Sequence, residues 1–119
     1  MRIAISAEEK HKESPVNPRF GRAGCFMVYD TDEQSWESID NIQNLQSSQG
    51  AGIQSAALVV NSACKVLITG HCGPKAFVTL LKGDVEVYTT SGSTVQEAVS
   101  AFERGELVRL NSADVDGHW

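Results

Sequence analysis

Short apolar runs alternate with segments of helical periodicity in the second half of the chain, and this alternation constrains the fold more than any other feature. Between Ile53 and Cys64, apolar residues recur at spacings of three and four, which predicts a helix over residues 50–63 with one buried face. The run Val66–Ile68 that follows is continuously apolar, as in a central strand covered on both faces. Strands that alternate with helices through short connections indicate a parallel sheet.

The same alternation continues towards the C-terminus. Pro74 suits a first helical turn and an apolar stripe follows it, which predicts a second helix over residues 74–82, with Gly83 as its left-handed terminal residue. Another strand follows around Val85–Tyr88. A third helix then begins near Ser93 and ends at Gly105; its start carries a capping-box pattern, Ser93 with Gln96.

In the first half of the chain, the sequence predicts strands and no helices. Residues 2–6 form a short strand, a polar segment with two prolines follows, and the run Cys25–Tyr29 pairs with a run around Trp36–Ile39 as a hairpin. The predicted order is β-β-β-α-β-α-β-α, a single α/β domain with a mixed five-stranded sheet and helices on both faces. The domain is expected to span residues 1–110, with 111–119 as a flexible tail.

Composition and charge exclude several classes of protein. With 119 residues, 41% of them hydrophobic, the chain is long enough for one domain and too apolar for a disordered segment. The net charge of −5 argues against a protein that binds nucleic acid or anionic membranes by bulk electrostatics. The charge is uneven, however: residues 1–22 carry five basic and three acidic side chains, so their net charge is +2 and that of the remainder is −7.

The chain also lacks the sequence features of membrane and secreted proteins. Its apolar stretches are far shorter than the ~18 residues of a membrane span, and its start lacks the apolar core of a secretory signal. The three cysteines are odd in number and widely spaced, so a disulfide framework is not expected. We expect a cytoplasmic protein in which Cys25 and Cys64 are small core residues.

Three segments are predicted to meet where the parallel strands end, which is where open α/β sheets bind ligands. They are Ala7–Gly24, Thr69–Pro74 and Thr89–Thr94, all rich in glycine or small hydroxyl residues. Glycine allows backbone amides to approach a ligand, and the unpaired amides of a helix start attract anions. An anionic or sulfur-rich ligand is therefore expected at this edge. ATP and NAD are disfavoured, because neither of their glycine-rich phosphate motifs is present.

Individual residues at this edge have two interpretations each. His71 and Cys72 together could ligate a metal, since a helix start lowers a thiol pKa; otherwise they are a surface histidine and a loop cysteine. Gly50 and Gly52 either allow close helix packing or abut the ligand. The basic side chains of the first segment, Arg19 and Arg22 among them, either neutralise an anion or form a solvated face. No catalytic triad is apparent, because the chain has no Gly-x-Ser-x-Gly elbow.

Four segments resemble one known family in the correct order along the chain. The segment Ser14–Ala23 is similar to the N-terminal signature Ser-Pro-Val-Ser-Pro-His-Phe-Gly-Arg-Ala of the dinitrogenase iron-molybdenum cofactor biosynthesis family. Gly50–Gln54, Ile68–Ala76 and Thr94–Leu107 resemble the family's first helix start, second glycine-rich loop and closing helix. Arg19 stands where the family commonly has histidine, and His71-Cys72 where small polar residues are usual.

The resemblance implies a ribonuclease H-like domain that binds, carries or helps to assemble metal-sulfur cofactors without catalysing a reaction. Small members include nitrogenase accessory proteins and the orange protein of sulfate-reducing bacteria, which holds a molybdenum-copper sulfide cluster. The expected ligand is thus a non-covalently bound molybdenum cluster of the Fe-Mo-S or Mo-Cu sulfide type. Its predicted contacts are Arg19, Phe20, Gly21, Arg22, Gly50, Gly52, Gly70, His71, Cys72, Gly73, Ser91, Gly92, Ser93 and Thr94, with His71 and Cys72 as candidate metal ligands.

The expected partners are a cofactor donor or acceptor protein, with no nucleic acid and no membrane, and the chain is expected to be a monomer. A nuclease of the ribonuclease H type needs carboxylates at the strand ends, where this chain has Ser6-Ala7 and Thr69-Gly70, so that reading is discarded. The remaining alternative is a metal-free interaction or regulatory module that binds a partner through its basic N-terminal loop.

Overall fold

Three helices and six strands make up the regular structure of the described residues, which are 1–47 and 50–116 of a computed structural model. The strands and helices are β1 Arg2–Ala7, β2 Cys25–Asp30, β3 Ser35–Asp40, α1 Ala51–Asn61, β4 Val66–Thr69, α2 Pro74–Lys82, β5 Glu86–Thr89, α3 Val95–Glu103 and β6 Val108–Arg109. Short 3-10 turns lie at Phe20–Arg22 and Ile42–Asn44. No helix within the described ranges is long and apolar enough to cross a membrane.

The sheet is mixed, with strand order β3-β2-β1-β4-β5-β6. β1, β4 and β5 are parallel, with Ile5 opposite Ile68 and Ile68 opposite Tyr88, and the β2-β3 hairpin extends the sheet antiparallel to β1. The prediction of five strands is wrong, because β6 pairs antiparallel with β5 as a sixth strand. Both residues of β6 are exposed, so the strand has no apolar alternation by which the sequence could indicate it.

Helices cover both faces of the sheet, as predicted. On one face, α1 and α2 pack their apolar residues against Ala4, Leu67 and Val87. On the other, α3 packs against Ile3 and Ile5 of β1. The alternation of Ile3, Ala4 and Ile5 therefore divides β1 between two cores, which is what a strand buried on both sides requires.

The ends of two helices differ from their predicted positions. α1 ends at Asn61, so Cys64 lies in the connection to β4 instead of on the apolar face of the helix, although it is buried as expected. The capping box of α3 is formed by Thr94 and Glu97, one residue later than the predicted pair. Two overlapping pairs have a hydroxyl followed three residues later by an amide or a carboxylate, Ser93 with Gln96 and Thr94 with Glu97. The observed capping box is the pair that contains the carboxylate.

Gly83 follows α2 for a different reason from the predicted one. Its φ is −88°, and the left-handed residue is Asp84, with φ 60°. A Cβ on Gly83 would lie 2.5 Å from Cγ2 of Val60 in α1. This glycine is therefore required by the close approach of two helices, and the prediction of a left-handed conformation at this position is wrong.

Candidate functional site

The three segments predicted to meet at the carboxyl ends of the parallel strands do lie together. The segment between β1 and β2, residues 8–24, is here called the N-terminal loop, and it crosses the ends of β1, β4 and β5. The amide of Asn17 donates to the Ser6 carbonyl (2.8 Å), and that of Val16 to the Ser93 carbonyl (3.0 Å). Farther along the loop, the amide of Phe20 donates to the His71 carbonyl (3.2 Å).

Two buried hydroxyls hold this loop at the strand ends. Ser6 Oγ lies 2.7 Å from the Asn17 carbonyl oxygen and 2.8 Å from Thr69 Oγ1, and both side chains are fully buried. The strand ends of β1 and β4 thus present neutral hydroxyls whose hydrogen bonds are made within the protein. They supply no carboxylate for a metal ion.

Three of the predicted ligand-binding glycines have a packing role. A Cβ on Gly70 would lie 2.6 Å from the Cα and carbonyl oxygen of Pro18, and one on Gly21 would lie 3.2 Å from the Cα of Gly52. A Cβ on Gly52 would in turn lie 3.4 Å from the Cβ of Ala76 in α2. These glycines allow the N-terminal loop and the first turns of α1 and α2 to pack together.

The three helix starts at this edge differ in how their amides are satisfied. α1 and α2 each begin after a glycine, Gly50 and Gly73, which has no side chain to cap the helix. In α3 the Thr94 amide donates to Glu97 Oε1 (2.9 Å), and the Glu97 amide donates to Thr94 Oγ1 (3.2 Å). Amides at a helix start favour negative charge, and at α1 and α2 the residue that precedes the helix does not cap them.

The 3-10 turn of the N-terminal loop carries basic side chains to these two helix starts. Phe20 is buried and packs its ring 5.4 Å from that of Phe26, which anchors the turn in the core. Arg19 and Arg22, on either side of this anchor, are exposed. Lys75 is exposed in the first turn of α2. The turn and the two helix starts thus combine positive side chains with helix-start amides that the preceding glycine does not cap.

The positive charge of residues 1–22 does not all lie at this edge. Arg2 lies at the opposite end of β1, where it pairs with Glu37, and Lys10 pairs with Asp40 at the end of β3. His11 lies between two carboxylates, those of Glu9 and Glu13. Of the basic residues that sequence reasoning grouped together, Arg19 and Arg22 are the two placed on the turn beside α1 and α2.

Cys72 is fully buried, although it lies in the loop between β4 and α2. Burial, together with the nearby Asp114 carboxylate, raises the pKa of its thiol to about 12. The expectation that a helix start lowers this pKa is therefore wrong, because removal of the thiolate from water outweighs the helix amides. Cys25 and Cys64 are buried as predicted, and burial raises their thiol pKa values as well, that of Cys64 to about 11.

His71 points outward and has a carboxylate partner that the sequence did not indicate. Its side chain is 44% exposed, and its Nδ1 lies 3.0 Å from Oδ2 of Asp114. Asp114 belongs to residues 111–116, the described part of the predicted tail, where Ala113 packs against the core around α1 and α2. No periodicity or motif precedes Asp114, so sequence reasoning had no signal for it. His118 and Trp119 lie outside the described residues.

The loop from Ser91 to Thr94 lies at the other end of the N-terminal loop. Ser91 and Gly92 are exposed, whereas Ser93 Oγ lies 3.1 Å from Thr90 Oγ1 and Thr94 caps α3. It contacts the N-terminal loop through Pro15 and Val16, in contrast to the contact of His71 with Phe20. The predicted site residues thus form one group around the 3-10 turn and a second group at the start of α3.

No group of three or more His, Cys, Asp or Glu side chains within residues 1–47 and 50–116 is arranged to hold a metal ion.

The model for the family described as dinitrogenase iron-molybdenum cofactor matches residues 1–105. The chain belongs to this family. The resemblance found in the four sequence segments is thereby confirmed.

Two solved structures and one further sequence relative support the same assignment. The apo form of the orange protein from Desulfovibrio gigas is similar, with 37% identity, a TM-score of 0.92 and 96% of each chain covered. A NifB-like protein of Thermotoga from the DUF35 family has 35% identity and a TM-score of 0.84, over 96% of this chain and 97% of that one. An uncharacterized protein of Methanocaldococcus jannaschii is 26% identical over 92% of each chain. Membership in the family and these neighbours are consistent with a cluster-binding role related to the iron-molybdenum cofactor.

Proposed function

We propose that this member of the family binds and carries an anionic, molybdenum-containing metal-sulfur cluster, of the iron-molybdenum or molybdenum-copper sulfide type, and catalyses no reaction on it. The observation that carries the proposal is the packing of two glycine-initiated helix starts against a turn that bears Arg19 and Arg22. The helix-start amides and the two arginines then lie at the same edge of the sheet, and together they suit a polyanion.

The chemistry of the described side chains favours a cargo held without several covalent ligands. All three thiols are buried with raised pKa values, so none is a thiolate at neutral pH in this conformation. A cluster whose metals are already coordinated by sulfide needs hydrogen-bond donors, cations and apolar contact from the protein. The edge around the 3-10 turn offers these groups.

The same edge gives little support to catalysis. Ser6 and Thr69 occupy the strand ends where a metal-dependent nuclease would place its carboxylates, and their hydroxyls are used to hold the N-terminal loop. A carrier needs only to receive and release its cargo, so a donor or acceptor protein is part of the proposal.

The test is anaerobic reconstitution of the protein with tetrathiomolybdate and copper, or with isolated iron-molybdenum cofactor, followed by gel filtration. We expect a visible chromophore that elutes with the protein, in an amount proportional to the metal measured in the same fractions. The absence of a co-eluting chromophore with both preparations would contradict the proposal. A metal-free interaction module would give this negative result, and its native form would contain no molybdenum.

Substitution of the arginines locates the site. Arg22→Ala and Arg19→Ala should each weaken retention by about 10- to 150-fold, since a hydrogen bond to a charged group contributes about 1.5–3 kcal/mol. The matched control is Arg104→Ala, which removes an exposed guanidinium that pairs with Glu106 after α3. Equal retention by all three variants would place the cluster elsewhere on the protein.

A further inference from the structure

Asn41, directly after β3, places a polar side chain in the core. Among the largest fully buried side chains of the described residues, the others are all apolar. Its Nδ2 donates to the Ala23 carbonyl (2.8 Å) and to Ser55 Oγ in α1 (2.8 Å). We propose that Asn41 is a positioning residue, whose side-chain amide fixes the turn that bears Arg22 against the first turns of α1. This inference rests on the proposed cluster-binding function.

The partners of the Asn41 amide determine its orientation. The carbonyl oxygen of Ala23 can only accept a hydrogen bond, so the atom that faces it must be Nδ2 and not Oδ1. The second proton of Nδ2 is directed to Ser55 Oγ, and Oδ1 accepts from Asn44 Nδ2 at 2.8 Å. A buried amide paired in this way specifies one arrangement of its neighbours, because any other would leave a donor or an acceptor without a partner.

Asn41 holds the chain at two successive carbonyls after Arg22. Its side chain donates to the carbonyl of Ala23, and its backbone amide donates to that of Gly24 at 2.9 Å. The second of these bonds continues the pairing of β2 with β3, so it fixes the strand and not the turn. The bond to Ala23 is therefore the one that extends the order of the sheet into the turn.

Ser55 extends the same connection to α1. It is fully buried in the second turn of the helix. The 3-10 turn also meets α1 at Gly21, where a Cβ would lie 3.2 Å from the Cα of Gly52. Contact between two glycines limits how closely the backbones can approach, but it forms no directional bond. The Asn41 amide supplies that bond, so it sets where the turn lies relative to the helix start.

The two arginines of the turn adjoin different anchors. Arg19 directly precedes Phe20, whose ring is buried in the core. Arg22 directly precedes Ala23, which the Asn41 amide holds. Loss of that amide should therefore loosen the backbone at Arg22 and leave it in place at Arg19. A general loss of stability would affect both arginines alike, so this difference distinguishes positioning from a structural role.

The first test uses the protein without a cluster. Nitrogen NMR relaxation of labelled protein should give the Arg22 amide an order parameter of about 0.85, as in rigid backbone, and a value nearer to about 0.6 in Asn41→Ala. Val99→Ala is the control, because it removes apolar contact from the core under α3, on the other face of the sheet. A rigid Arg22 in a folded Asn41→Ala would overturn the positioning role.

The second test is a double-mutant cycle on retention of the cluster formed from tetrathiomolybdate and copper. Groups coupled in one network typically give coupling that corresponds to about 2- to 150-fold in binding. We expect Asn41→Ala to weaken retention about tenfold in the wild-type background, and no more than about twofold once Arg22 is replaced by alanine. In the Arg19→Ala background the effect should stay at about tenfold, since Arg19 adjoins the other anchor.

A milder variant covers the case in which Asn41→Ala does not fold. Ser55→Ala removes one of the two acceptors and keeps the bond to Ala23. Its effect on retention should be smaller than that of Asn41→Ala and should likewise disappear once Arg22 is replaced. Melting curves would show that each variant is folded at the temperature of the assay.

The outcomes separate this inference from the proposed function. If the losses of Asn41→Ala and Arg22→Ala multiply, or if Val99→Ala loses the cluster to the same extent, the positioning role is overturned and the carrier function stands. If the wild-type protein retains no cluster, the proposed function fails, and the order parameter of Arg22 alone decides whether Asn41 fixes the turn.

Discussion

Replacement of Gly70 by alanine should push the N-terminal loop away from the end of β4. The added Cβ would lie 2.6 Å from the Cα and carbonyl oxygen of Pro18, whereas ordinary contacts of this kind begin at 3.4 Å. Both obstacles are backbone atoms, which cannot rotate aside as a side chain would. Overpacking of this kind costs about 1–3 kcal/mol. If the displaced loop also loses the bonds from Asn17 to Ser6 and from Phe20 to His71, each adds about 0.5–1.5 kcal/mol.

The free energy of unfolding should therefore fall by about 2–6 kcal/mol, which for a domain of this size corresponds to a decrease in Tm of roughly 8–24 °C. Thermal and urea unfolding followed by circular dichroism would measure the change. Gly24→Ala is the matched control, because its Cβ would meet only Cγ1 of Ile42, at an ordinary 3.8 Å. A Gly70→Ala protein that melts within about 2 °C of the control would refute the claim that Gly70 is required by the approach of Pro18.

Three further predictions concern single side chains. Cys72, with a thiol pKa of about 12, should resist alkylation by iodoacetamide at pH 8 in the native protein and react after unfolding in urea; rapid native labelling located by peptide mass mapping would contradict its burial. Thr94→Ala should lower the free energy of unfolding by about 0.5–2 kcal/mol and Thr94→Ser by much less, since serine keeps the cap of α3; equal losses in urea titrations would argue against the capping box. The hydrogen bonds from Thr94 lower the pKa of Glu97, so the stability that its ionised form contributes is complete above its ordinary pKa of about 4.3 and is lost as the pH falls through the lower folded value. Glu97→Gln should reduce the acid sensitivity of the melting temperature in that range, and an unchanged pH profile would count against this reasoning.

Periodicity predicted the elements that bury a continuous apolar face. β4 has four buried residues in succession, and α2 begins at the predicted proline. β6 was not predictable in the same way, because it has two residues and both are exposed. β6 forms because its backbone pairs with that of β5, and the side chains of an edge strand this short show no pattern that would indicate the pairing.

The sequence predicted where on the fold the candidate site lies, but it did not predict the contacts that the site residues make. The glycine-rich segments do meet at the carboxyl ends of the parallel strands, as the topology requires. The state of Cys72 was not predictable, because a position in a loop before a helix suggests exposure, and only the packing of the described tail and of α2 shows that the thiol is buried. Asp114 was missed for a related reason: it acts through a contact 43 positions from His71 in the chain.

The glycines of the site support a different argument from the one that composition suggests. A glycine-rich loop is usually taken to let a ligand approach the backbone, but Gly21, Gly52 and Gly70 each have another part of the protein within 3.4 Å of where a Cβ would stand. Their missing side chains are therefore required by packing, whether or not a ligand is bound. What remains for the ligand is the amides that this packing brings together at the starts of α1 and α2, and the side chains beside them. Substitution of those glycines would disturb binding through the position of the loop, so the side chains of Arg22 and His71 are the more direct probes of the contact itself.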